Sequence, residues 1–179
     1  MKFLPTPLAG CVIVEPQLFP DERGHFFETY HRAKFHAAGI TVDFVQDNQS
    51  RSLRNVVRGL HYQLTQPQAK LVRVVLGEVF DVAVDLRRGS ATRGQWFGVR
   101  LSATSGNQLY LPAGFAHGFC ALSEYADVQY KCSELYAPRD ERTIRWNDPD
   151  LNISWPLSGE AIVSARDQSA PGWREADLP

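Results

Sequence analysis

Short apolar runs of strand length, each closed by a turn signal, recur along this chain. Lys70-Leu71-Val72-Arg73-Val74-Val75-Leu76 stops at Gly77, and Glu78 to Leu86 alternates acidic or small residues with apolar ones. Such a period of two suits a strand with one face in the core. Gln95 to Leu101, Gln108 to Leu111, His117 to Leu122 and Val128 to Leu135 read the same way. Arg88-Gly89-Ser90, Ser105-Gly106-Asn107 and Pro112-Ala113-Gly114 separate them as turns. His25 to Tyr30, just after Gly24, adds an aromatic strand-like run, and the stretch from His31 to Ala38, ended by Gly39, predicts one helix. From Asn147 onward Pro, Asp, Trp and Gly predict ordered loops or short helical turns. Many short strands within 179 residues predict one mainly β domain over residues 1–179, a sandwich or barrel. No βαβ alternation or Gly-rich phosphate loop is present.

Charge narrows the partners. Lys and Arg total 19 and Asp and Glu 20, so there is no global electrostatic case for nucleic acid or an anionic membrane. The opening residues lack a signal-peptide pattern, being broken by Pro5, Pro7 and Pro16, and no apolar run is long enough to cross a bilayer. Three cysteines, Cys11, Cys120 and Cys132, make no CxxC pair, and their odd number argues against a disulfide framework. The expectation is a cytoplasmic protein with reduced, buried thiols.

One spacing narrows the fold further. Gly106-x5-Pro112-x-Gly114-x2-His117 resembles the second motif of the cupins, a double-sheet jelly-roll superfamily, with Ala121 where that pattern ends in Asn. Pro112 and Gly114 shape a tight turn, after which His117 begins a strand and can face the barrel. The first cupin motif has HxH, then Glu; the matching stretch here is His61-Tyr62-Gln63, then Lys70, with Gly77 after it. A protonated lysine has no lone pair to give a metal and repels it, so no metal centre and no cofactor are expected. His61, Lys70 and His117 would instead make a cationic cavity for an anionic or oxyanionic ligand.

These residue types suit one chemistry. An imidazole abstracts a proton near neutral pH, an ammonium stabilises the oxyanion that forms, and a tyrosine returns a proton from another direction. That is epimerisation or isomerisation next to a carbonyl.

Four segments in order resemble the dTDP-4-dehydrorhamnose 3,5-epimerase family, a metal-free cupin-like group. They are Asp21 to Glu28, Val57 to Gln63, Leu111 to Phe119 and Arg145 to Pro149, with Val45 to Ser50 and Tyr130-Lys131-Cys132 in addition. The resemblance covers nearly the whole chain. It implies that His61 is the base acting at carbons 3 and 5 of a 4-keto-6-deoxyhexose, paired with Asp167 in Ser164-Ala165-Arg166-Asp167. It implies that Lys70 stabilises the enolate, Tyr130 is the acid, and His117 lines the sugar pocket. Arg23, Arg58, Gln46 and Asn48 would hold the nucleotide diphosphate with Phe26 and Glu28 nearby, and Tyr136 would contact the substrate. Family members are dimers in which one subunit's N-terminal segment completes the other's site, which would make Arg23, Phe26 and Glu28 act in trans.

Two positions depart from the family pattern. Arg166 stands where Lys is common, keeping the charge, and Leu135-Tyr136 stands where two aromatics often precede Ala-Pro. An aromatic there can stack on thymine, so Leu135 keeps open a relative that inverts a single carbon. A metal-dependent cupin oxygenase and a non-catalytic sugar-binding jelly roll are the more distant alternatives. Read singly, the residues have plainer uses. Tyr130 shares a face with Val128 and Cys132 and suits a core, and Asp167 lies in a polar stretch where an exposed carboxylate is the default. Trp146 to Pro149 reads as a packed turn. His25, His31 and His36 have no supporting constellation, the last two being expected on the exposed face of the helix.

Overall fold

A computed structural model describes residues 1–179. In chain order the elements are β1 (Lys2–Pro5), β2 (Val12–Glu15), β3 (Phe19–Asp21), β4 (Gly24–Phe26), α1 (Arg32–Ala37), β5 (Gln46–Leu53), β6 (Val56–Gln63) and β7 (Lys70–Leu76). There follow β8 (Glu78–Asp85), β9 (Trp96–Ser102), β10 (Gln108–Leu111), β11 (Phe115–Ala121), β12 (Tyr125–Cys132), β13 (Glu141–Thr143), β14 (Ile162–Val163) and α2 (Ala165–Gln168). One sheet runs β1-β2-β10-β7-β12-β5; the other runs β13-β6-β11-β8-β9, with β14 added parallel to β6. The two sheets form a cupin-like jelly roll, and β3 and β4 stand apart as a hairpin. No helix is long and apolar enough to cross a membrane.

The apolar alternation decides what lies between the sheets. Val72, Val74, Leu109, Leu111 and Val128 from one sheet meet Val79, Leu101, Phe115 and Phe119 from the other. The outer face of the second sheet is covered by the C-terminal segment, where Ile144, Leu151 and Ile153 pack on Leu60, Val82 and Val84. Phe35 of α1 and Ile40 cover Val14, Leu71 and Tyr110 on the outer face of the first.

This double cover corrects one expectation. The alternation in β8 does not mean one face in water: Val82 and Val84 pack outward under the C-terminal segment, while Asp81 and Asp85 share the inner face with Val79 and Ala83 and are fully buried. Asp81 Oδ2 meets His117 Nε2 at 2.9 Å. Asp85 accepts from the Arg87 guanidinium at 2.7 and 2.9 Å and from the hydroxyls of Ser90 and Thr92 at 2.6 and 2.7 Å. Burial alone would raise the Asp85 pKa, but these donors outweigh it and hold the carboxyl far below the usual carboxylate range. Asp85→Ala is expected to cost about 3 kcal/mol at pH 7, since it strands Arg87 and two hydroxyls. Because the folded-state pKa lies below the unfolded one, this stability is present above about pH 4 and is lost as pH falls further. Urea denaturation of both proteins at pH 7 and pH 3 checks this: the gap between them should narrow at the lower pH.

The helix runs Arg32–Ala37, as expected; His31 is exposed, but His36 is half-buried. The run His25 to Tyr30 is not a strand throughout: pairing ends at Phe26, and Phe27 turns onto Gly106 while Tyr30 packs against Phe35 and Phe44. All three cysteines are free and buried.

Candidate active site

The site is built where β6 and β11 come closest. Gly59 has φ of +119°, and a Cβ there would lie 2.6 Å from Gly118 Cα and 2.7 Å from the His117 carbonyl oxygen. Only glycine permits that approach, which sets His61 directly opposite His117 in the antiparallel register. On the facing sheet, Lys70 of β7 and Tyr130 of β12 lie on neighbouring strands, with Tyr130 paired to Val72 and Cys132 to Lys70. A cavity of about 340 Å³ lies between these walls.

Of the residues singled out from sequence, His61, Lys70, His117, Tyr130, Arg58, Gln46, Asn48 and Tyr136 all line this cavity. A cleft of similar size on the first sheet, lined by Thr29, Arg73, Gln129 and Lys131 among others, contains neither histidine and so carries no comparable chemistry.

Asp167 lies behind His61 and is not the exposed loop carboxylate that its neighbours in sequence suggest. It is only 3% exposed, on the short helix α2, with its N–H donating to Ser164 Oγ at 3.1 Å. Its Oδ1 lies 2.8 Å from His61 Nε2, and its Oδ2 accepts the Gly59 N–H at 3.2 Å. A carboxylate only accepts, so the proton is assigned to Nε2 and the lone pair to Nδ1. Burial pushes the Asp167 pKa up, but the bond and charge of His61, the Gly59 amide and Arg166 together bring it below its ordinary value. It therefore stays ionised at neutral pH, able to orient the ring and balance an imidazolium.

Lys70 is buried, and its ammonium lies 5.8 Å from the centre of the Tyr130 ring. Burial lowers the Lys70 pKa, with Cys132, Glu141 and Asp81 acting in the opposite direction. Burial likewise raises the Tyr130 pKa, which keeps the phenol protonated at neutral pH. Arg58 is held at the rim by Ser52 Oγ and the Arg51 carbonyl, at 3.0 and 3.1 Å. No group of three or more His, Cys, Asp or Glu side chains is arranged to hold a metal ion.

Three predicted residues stay outside this cavity. Arg23 pairs with Asp21 at 2.6 Å, Glu28 pairs with Lys34 at 2.7 Å, and Phe26 is 71% exposed. All three sit on or next to the β3–β4 hairpin.

Sequence reasoning missed Glu141, Gln68 and Ser50 on the cavity wall, and passed over Arg166 as a conservative change. Glu141 takes Arg166 Nη1 at 2.5 Å and the Tyr136 hydroxyl at 2.8 Å. Arg166 Nη2 thereby lies 3.0 Å from His61 Nε2; with the proton on Nε2 both are donors, so this is close approach and not a hydrogen bond. A Ser-x-x-Asp helix start at Ser164 could have located Asp167, whereas nothing local marks Glu141.

A jelly roll with a carboxylate-backed imidazole on one wall and a buried lysine and tyrosine on the other defines an isomerase-type, proton-transfer site. Comparison with known proteins gives the family. The family model for dTDP-4-dehydrorhamnose 3,5-epimerase matches residues 5–175, and the chain belongs to that family. The dTDP-4-dehydrorhamnose 3,5-epimerase of Pseudomonas aeruginosa is 54% identical over 178 residues, 99% of this chain and 98% of its own. A crystal structure of the 3,5-epimerase of Legionella pneumophila in complex with dTDP-4-keto-L-rhamnose superposes with a TM-score of 0.94 at 47% identity, covering 97% of this chain and 93% of that one. A dTDP-4-dehydrorhamnose 3-epimerase of Streptomyces niveus is 43% identical over 95% of this chain and 83% of its own length.

Proposed function

We propose that this chain, acting as a single domain over residues 1–179, inverts carbons 3 and 5 of dTDP-4-keto-6-deoxyglucose. The observation that carries this reading is His61 of β6, backed by Asp167 of α2, facing the same cavity as Lys70 and Tyr130 on the opposite sheet.

In this reading His61 Nδ1 takes the proton from a carbon next to the ketone, and the electron pair left behind moves onto the keto oxygen. Lys70 stabilises that enolate by charge and hydrogen bonding. Tyr130 then delivers a proton to the other face of the carbon, and solvent resets both groups. One pass inverts one carbon; two passes invert both. Asp167 balances the charge that His61 gains. His117 lines the sugar pocket, Arg58, Gln46 and Asn48 hold the diphosphate, and Tyr136 contacts the substrate.

The nucleotide's remaining contacts come from a second subunit in this reading. Arg23, Phe26 and Glu28 do not line their own cavity, and Phe19 and Phe26 leave an apolar hairpin uncovered. A homodimer that exchanges these N-terminal segments puts both facts to use. Three unpaired thiols suit the cytoplasm as the place of action.

Proton NMR of dTDP-4-keto-6-deoxyglucose with the protein in deuterated water tests the function. Deuterium is expected at both carbons. Entry at one carbon only would favour the second reading, a single-carbon epimerase, for which the exposed Leu135 beside Tyr136 and the 3-epimerase relative speak. No entry above the enzyme-free control would remove this substrate.

A further inference from the structure

Gln63 occupies the cupin position of a metal-binding histidine, yet it does not line the cavity. It is the last residue of β6, on the same side of the strand as His61, and it is buried. Its amide is spent on backbone. Nε2 donates to the Gln66 carbonyl at 2.8 Å and to the Leu135 carbonyl at 3.3 Å, and Oε1 accepts the Ala137 N–H at 2.8 Å. Between those two anchor points, the Tyr136 N–H donates to Gln46 Oε1 at 2.8 Å. Three consecutive residues outside any strand are thus tied by two glutamine side chains, one from each sheet.

What this strap carries matters to the site. Leu135 is 64% exposed, and Tyr136 lines the cavity with its hydroxyl on Glu141, which in turn holds Arg166 beside His61. Loops without regular structure hold side chains in place only when their backbone groups are satisfied by fixed partners. A buried amide making three bonds from a strand end is such a partner, and no other residue type of that length both donates and accepts.

We propose that Gln63 is a positioning residue for substrate binding: its amide fixes the 135–137 strap, and through it the placement of Leu135 and Tyr136 against the nucleotide sugar. The ligand rests on the function proposed above; the hold on the strap does not.

The test uses the full chain with Gln63→Glu and Gln63→Leu. Glutamate keeps the acceptor for Ala137 but turns an oxygen toward two carbonyls, and leucine makes no bond at all. Gln63→Asn, one methylene shorter, serves if either fails to fold. Three quantities are read: amide hydrogen exchange over residues 133–140 without ligand, and kcat and KM for proton exchange of dTDP-4-keto-6-deoxyglucose. Exchange over 133–140 is expected to quicken about tenfold and KM to rise about tenfold, with kcat changed less than about twofold. A fall in kcat or in thermal midpoint with KM and the 133–140 exchange unchanged would overturn the proposal. If the wild-type chain does not turn over this sugar, the functional reading fails while amide exchange still decides the strap: faster exchange sustains Gln63 as its anchor, and unchanged exchange removes it.

Discussion

His61→Ala is expected to stop deuterium entering either carbon 3 or carbon 5, with a loss of at least about a thousandfold in exchange rate. The argument is one of supply. Of the titratable groups on the cavity wall, Arg166 is cationic, Lys70 is the enolate's ammonium in the proposed reading, and Tyr130 holds its proton; His117 meets Asp81 through Nε2 as His61 meets Asp167, but its side chain is only 7% exposed against 24% for His61. Glu141 is an acceptor, but it is neutralised by Arg166 and Tyr136, and its pKa is lowered on balance by those partners despite burial, so it is a weak base. No second group takes over at either carbon. The fold should survive, because the ring is partly exposed and Asp167 keeps the Gly59 amide and Arg166 as partners. Exchange followed by NMR, alongside a thermal melt by circular dichroism, checks both halves. Retained exchange at one carbon would show that the two carbons use different bases.

Tyr130→Phe has the second-largest effect, and of a different kind. It removes one oxygen from a side chain that otherwise packs beside Val128 and Cys132 and near His117. In the proposed mechanism deprotonation needs His61 and Lys70 and not the phenol, so loss of the substrate protons to solvent should fall by less than about tenfold. Delivery to the opposite face needs the phenol, so formation of inverted sugar should fall by about a hundredfold or more. Wash-out and inversion are read separately in one NMR time course. Equal loss of both would take the acid role away from Tyr130.

How much of this was legible depends on what each strand faces. Lys70–Leu76 and Gln108–Leu111 are read to the residue because apolar side chains dominate them and a glycine-containing turn follows each directly. β5 was not recognised as a strand, and its sequence, QDNQSRSL, explains why. It is an edge strand whose inner side lines a polar cavity, so neither face shows hydrophobic alternation. β5 is thus the cavity-wall strand that a hydrophobic pattern finds least well, whereas β7, β11 and β12 keep enough apolar alternation to be found. Asp81 and Asp85 mislead for the converse reason: acidic residues at alternate positions read as a wet face, but here each is buried against partners far along the chain or in the following turn. The site residues were named from resemblance and motif spacing. The spacing alone could not have joined His61 to Asp167, which is 106 residues away and reaches it only because β14 lies along β6 and delivers α2 to that place.

The division of the cavity between two sheets has a stereochemical consequence. His61 belongs to one layer and Tyr130 to the other, so under the proposed roles of base and acid a proton that leaves toward one layer returns from the other. Inversion is then a property of the layering and not of any single side chain. A substitution within either wall can slow the reaction or halt it midway, but it leaves the direction of proton traffic intact. Turning this site into one that exchanges protons with retention would require an acid on the same layer as the base. The distance between the layers keeps that a long way off in sequence, since the change has to build a donor on β6 or β11 as well as remove the one on β12.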